Sequence, residues 1–207
     1  MFDLTTQEEK ILKKLDTPGK IQDFLNKLEI NFEENGETCM SPRRVLETRK
    51  CHCIEGAMLA ALALRLHGQK PLIVDLTASK EDFDHVIAVF RENGKWGAIS
   101  KTNHAVLRYR EPVYSSIQEL VMSFFHEYFE DDGIKTLRSY SEAVDLSRFD
   151  ELRWMTSEDD VWFVDKYLGK ARHFRILNQN QISKLRKADK IEIEAGKIVE
   201  YRKKDII

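Results

Sequence analysis

The stretch from Cys51 to Gly68 constrains the fold more than any other part of the chain. Between Cys53 and Gly68 the only strongly polar side chains are Glu55, Arg65 and His67, and Ala and Leu fill most of the remaining positions. A helix without a polar face has to be surrounded, so the sequence predicts a central core helix about which the other elements pack. Gly68, just past the last periodic residue, suits a left-handed stop. Cys53 falls in the first turn, where unpaired amides and the helix dipole favour an anion, and a thiolate is the anion a cysteine supplies. The apolar run from Ile54 to Leu66 is interrupted by Glu55 and Arg65 and is too short to cross a bilayer.

The flanking sequence changes character at Gly68. Before it, Thr5 or Thr6 with Glu8 or Glu9, Thr17-Pro18 and Ser41-Pro42 each carry an N-terminal helix signal, so the first fifty residues are predicted helical. After it, the runs 71–76 and 85–90 read as strands. Asn93-Gly94 then signals a tight hairpin into Trp96–Ser100, so the sheet is at least partly antiparallel. Arg108 to Tyr114 extends it as an edge strand limited by Pro112, and Ser115 or Ser116 caps a further helix. The acidic turn from Glu130 to Gly133 is the candidate boundary, dividing a core of residues 1–132 from an extension of residues 133–207. In the extension, helical patterns near 146–155 and 161–168, the second preceded by Ser157-Glu-Asp-Asp, are followed by an alternating tail, 191–201. That tail is read as a hairpin turning at Ala195-Gly196. The fold class is α+β.

The totals exclude several functions. Hydrophobic residues are 42% and charged residues 33%, as in a globular chain, and a net charge of -2 gives no general attraction to nucleic acid or to an anionic membrane. The N-terminus lacks the basic and apolar regions of a secretion signal, and three cysteines are an odd count, so a cytoplasmic protein with free thiols is expected. Cys39, Cys51, His52 and Cys53 lack the spacing of a zinc finger, and neither a metal nor another cofactor is expected.

Cysteine chemistry requires a thiolate, a base within hydrogen-bond reach and a group that orients the base. The order of Cys53 at a helix start, His85 at a strand start and a Trp-containing strand returning through a hairpin resembles the transglutaminase-like superfamily, a branch of the papain-like cysteine enzymes. Cys51-His52-Cys53-Ile54-Glu55-Gly56-Ala57 is similar to the family's nucleophile motif, with Cys51 where the family has Gly. Arg65-Leu66-His67-Gly68 matches the helix end, His85–Phe90 the histidine strand, and Trp96–Ser100 the last strand, over about residues 50 to 104. The resemblance implies a peptidase, amidase or transamidase acting through a thioester on a peptide, protein or small amide, with Cys53 as nucleophile and His85 as base.

Ser100 stands where the family has Asp. In the register of a two-residue hairpin, Ser100 lies diagonal to His85 on the same face, whereas a one-residue shift would bring Asn103 there instead. Ser100 and Asn103 are both carried as candidates for orienting the base, with Asp84 a third and Cys51 a secondary nucleophile. Glu47 occupies the place of a papain-type oxyanion Gln. The alternative is a non-catalytic binding or scaffold protein that retained the fold.

Overall fold

A computed structural model describes residues 2–202. The N-terminal helices begin where the side-chain oxygens sit: α1 (Thr6–Leu12) and α2 (Pro18–Asn26) start from Thr5 and Thr17. After β1 (Glu29–Ile30), α3 (Pro42–Thr48) starts from Ser41. Each of these caps accepts a hydrogen bond from the amide three residues on. β2 (Lys50–Cys51) pairs in parallel with β1 and delivers the chain to α4 (Cys53–Leu66). Every residue of α4 from Ile54 to Leu64 is buried, as an all-apolar circumference requires, and Gly68 takes a left-handed conformation at φ 86° just beyond it.

One antiparallel sheet carries the rest. β3 (Leu72–Thr77), β4 (His85–Glu92), β5 (Lys95–Ile99) and β6 (Arg110–Tyr114) run to one edge. β7 (Ser139–Ser141) and β9 (His173–Arg175) continue from β3 to the other, and β8 (Val144–Asp145) also pairs β3. Asn93 and Gly94 form the two-residue turn, both with positive φ, and set Glu92 opposite Lys95. From that register, β4 alternates. Val86, Ala88 and Phe90 enter the core shared with α4, while Ile87 and Val89 face the second core around α5 (Ile117–Met122).

The chain after Gly133 shares this sheet and both cores. β7 pairs directly with β3, Trp154 is fully buried in the α4 core, and Phe174 packs on the α5 side. α6 (Trp162–Leu168) starts without a side-chain cap, contrary to the signal at 157–160. The Asp160 carboxylate is engaged instead by Arg44 at 2.6 Å and by the Cys39 amide at 3.0 Å. After α7 (Gln179–Ile182), the predicted C-terminal hairpin is a helix, α8 (Lys190–Gly196). The Asp189 amide donates to Glu192 at 2.6 Å, and this local cap outweighs the alternating apolar pattern. Beyond α8 a strap crosses the loop after β5, with Ile198 O accepting from the Ala105 amide and the Glu200 amide donating to Asn103 O. Residues 203–207 lie outside the described residues.

Candidate active site

Cys53 is the first residue of α4 and is half-buried, whereas Cys39 and Cys51 are buried. Burial opposes ionisation of the Cys53 thiol. Hydrogen bonding with His52 and then His85 outweighs that, and takes its pKa down to about 5. The other thiols move the opposite way. Burial pushes Cys51 up to about 12, with Lys101 only partly offsetting it, and pushes Cys39 up further. Of the three cysteines only Cys53 is therefore a thiolate near neutrality.

His85 begins β4 and is 7% exposed. Its Nε2 lies 2.8 Å from Ser100 Oγ, and that hydroxyl is 2.6 Å from the Leu107 carbonyl oxygen. A carbonyl only accepts, so the single hydroxyl proton of Ser100 goes to Leu107, and His85 Nε2 must donate. This chain of bonds fixes the imidazole tautomer with the proton on Nε2 and leaves the Nδ1 lone pair for chemistry. Ser100 itself is clamped by Gln22 of α2, whose amide nitrogen donates to Ser100 O at 2.8 Å and whose oxygen accepts from Ser100 N at 2.9 Å.

Of the candidate orienting groups, the structure brings Ser100 to His85 and takes Asn103 elsewhere. The Asn103 side chain donates to Tyr201 O at 2.8 Å and accepts from the Tyr201 amide at 2.9 Å, so it holds the C-terminal strap. Asp84 accepts from the Ala78 amide at 2.8 Å, closing the turn before β4. Glu47 is exposed on α3.

The sequence reading passed over His52 and Glu55. His52 precedes Cys53, and its Nε2 is 3.0 Å from Thr38 O, 3.4 Å from Glu55 Oε1 and 3.6 Å from Glu33 Oε1. Glu55 is fully buried. Its carboxylate accepts from Thr38 Oγ1 at 2.8 Å, the Met40 amide at 2.9 Å, the His52 amide at 3.0 Å and Asn31 Nδ2 at 3.2 Å. Burial would favour the neutral acid, but His52 and these amides keep its pKa below the ordinary value. The signal was present: a glutamate at the third position of an otherwise apolar helix is the acidic half of a capping box.

A cavity of about 340 Å³ opens beside His85, walled by Phe83, Leu107, Tyr128 and Ile193 with Asp82 and Glu130 at its polar side. Phe83, in the turn before β4, is 89% exposed. A larger hollow of about 710 Å³ near Arg138, Arg175 and Gln181 brings no thiol or imidazole to its walls. Among the described residues no helix is long and apolar enough to cross a membrane. No protein-family model matches the chain, and no curated protein matches it.

Proposed function

We propose that this chain is a cysteine-dependent acyl-transfer enzyme, a hydrolase or transamidase of peptides, proteins or small amides, built on a transglutaminase-like core and working in the cytoplasm. The observation that carries the reading is the pairing of a helix-start thiol of depressed pKa with a histidine whose tautomer is fixed by Ser100 and Leu107. With the Cys53 thiol proton passed to His85 Nδ1, the Cys53 thiolate attacks the substrate carbonyl carbon, the bond to nitrogen or oxygen breaks, and the leaving group takes that proton from His85 Nδ1. A thioester results. Neutral His85, its Nε2–H still on Ser100, then accepts a proton from water or an amine as that nucleophile attacks the thioester, which regenerates the thiolate and the proton for the next leaving group. The Cys53 amide, in the first turn of α4 where helical amides have no intrahelical partner, supplies a donor to the oxyanion. The cavity whose wall includes His85, though not Cys53, is the place for the part of the substrate beyond the scissile bond.

Alkylation tests this. Iodoacetamide at neutral pH, followed by mass-spectrometric mapping, should label Cys53 far faster than Cys39 and Cys51, with a rate that falls as pH drops through about 5. Cys53→Ala should abolish the burst with a p-nitrophenyl ester. Equal, slow labelling of all three thiols would favour the non-catalytic binding protein instead.

A further inference from the structure

We infer that the substrate is an extended polypeptide lying in a groove that runs from His85 to Arg175, with a cationic residue beside the scissile bond and an anionic residue about four positions away. The inference rests on the reading of this chain as a cysteine enzyme, and it narrows the substrate from amides in general to a charge-ordered peptide.

Three hollows are joined end to end. The cavity of about 340 Å³ at His85 shares Glu130 and Asp131 with a hollow of about 430 Å³, and that hollow shares Arg138 with the one of about 710 Å³. The strand register gives the length. His85 stands opposite Leu76, Leu76 opposite Tyr140, and Tyr140 opposite Phe174, the neighbour of Arg175. Three strand spacings of about 4.8 Å amount to about 14 Å, which an extended chain covers in about four residues at about 3.3 Å each. A small amide would occupy the first hollow alone.

The sign of the walls changes along the way. No lysine or arginine lines the cavity at His85. Three of its carboxylates are engaged: Asp82 by Thr136 and the Phe83 amide, Asp84 by the Ala78 amide, and Glu127 by Arg110. Glu130 and Asp131 have no cation within 4 Å among the described residues, whereas the adjacent Asp132 is paired with Lys187 at 3.2 Å. Burial, then the charges of Asp82, Asp131 and Asp132, raises the Glu130 pKa, so a cation arriving there relieves a repulsion already present. At the far end Arg138 and Arg175 line the large hollow, and neither has a carboxylate within 4 Å among the described residues. Arg138 is half-buried and spends its Nη1 on the Lys135 and Leu137 carbonyls, at 2.9 and 3.1 Å. Burial depresses its pKa, and Glu81 only partly offsets that. Arg175 is exposed on the edge strand β9. An acidic half beside the histidine excludes a nucleic acid, and a guanidinium pair at the other end excludes a uniformly basic peptide.

The test is fluorescence anisotropy, with the full chain carrying Cys53→Ala and labelled peptides of about eight residues. One peptide has lysines at one end and glutamates at the other and is made in both chain directions; its companions are lysine at both ends or glutamate at both ends. Turnover of a p-nitrophenyl ester by the wild-type chain is measured alongside. In at least one direction the bipolar peptide should bind about 5-fold more tightly than either companion, a preference that about 0.5 M salt should largely remove. Arg175→Glu, at an exposed position outside both cores, should weaken the bipolar peptide by about 5-fold and make the peptide with lysine at both ends the preferred one. Equal binding of all the peptides, or an unchanged order in Arg175→Glu, would overturn the inference, and Cys53-dependent ester turnover would then leave the cysteine enzyme standing. Charge-ordered binding without that turnover would keep the groove and refute the enzyme.

Discussion

Ser100→Ala removes one hydroxyl and almost nothing else. The backbone of Ser100 is held from both sides by Gln22, and that clamp does not involve the hydroxyl. The residue is 1% exposed, so water does not replace what is lost. Two groups lose their partner, the His85 Nε2–H and the Leu107 carbonyl. A buried polar group left unpaired costs about 1–3 kcal/mol. The ring can relieve part of that by moving its proton to Nδ1, so a net loss of about 1–3 kcal/mol is expected, read as a fall in Tm of about 2–4 °C per kcal/mol for a chain of this size.

The same relief damages the chemistry. With the proton on Nδ1, neutral His85 presents a donor rather than a lone pair to the attacking water or amine. The charged ring loses its bond to Ser100 as well, and hydrogen bonds to charged groups contribute about 1.5–3 kcal/mol, so ester turnover should fall by about 10–150-fold. The alkylation midpoint of Cys53 should rise, because His85 is one of the two histidines that lower the Cys53 pKa. Ser100→Asp, the residue that the family resemblance would place there, should not rescue turnover. Its carboxylate would have no proton for the Leu107 carbonyl that Ser100 Oγ meets at 2.6 Å, and stability should fall further. Wild-type turnover and an unchanged Tm in Ser100→Ala, or a gain of activity in Ser100→Asp, would refute the assignment of Ser100 as the group that orients His85.

Two further outcomes follow from neighbouring contacts. His173 Nδ1 donates to Ala171 O at 2.8 Å, so the contact of its Nε2 with buried Asp75 at 3.2 Å needs one more proton, and burial, then Asp84, raises the Asp75 pKa above 3.8. The folded state therefore binds a proton that the unfolded chain has released, and stability should decline as pH rises from 3.8 through the raised Asp75 value; Asp75→Asn, whose amide donates to neutral Nε2, should flatten that decline in urea midpoints, and unchanged slopes would count against the pair. Asn103→Ala should speed hydrogen exchange at the Tyr201 amide by about 5-fold, for about 1 kcal/mol of lost hydrogen bonding, while the Cys53 alkylation profile stays the same. A shifted profile would return Asn103 to the histidine.

The parts of the fold that depend on neighbours in sequence were legible in it. The all-apolar circumference of α4, the caps at Thr5, Thr17 and Ser41 and the Asn93-Gly94 turn are each decided within a few residues, and each stands where the sequence places it. The hairpin register put Ser100 on the face of His85 for the same reason. What was not legible depended on distant partners. Asp160 reads as part of a helix-start signal and is taken by Arg44, and Asn103 reads as a candidate to orient His85 and is taken by Tyr201, 98 residues away. The alternation in 191–201 has the period of a strand but is overridden by the Asp189–Glu192 cap. Glu55 was visible as one acidic residue in an apolar helix; its environment, built by Asn31, Thr38 and Met40, was not.

That environment bears on why a serine suffices behind His85. A carboxylate at position 100 would lie against the Leu107 carbonyl with its backbone fixed by Gln22, an arrangement that repels charge. The position is therefore built for a hydroxyl, which can orient a histidine but contributes no net charge to an imidazolium. A thiolate in a half-buried site needs a positive partner all the same, since burial alone would raise its pKa. Here a negative charge that favours such a partner enters through the helix that carries Cys53. Glu55 caps the first turn of α4 through the His52 amide, and the same carboxylate lies 3.4 Å from the His52 ring. One residue thus caps the core helix and lies against the His52 ring. The loss of either should appear in the other: a substitution that weakens the cap should also raise the alkylation midpoint of Cys53.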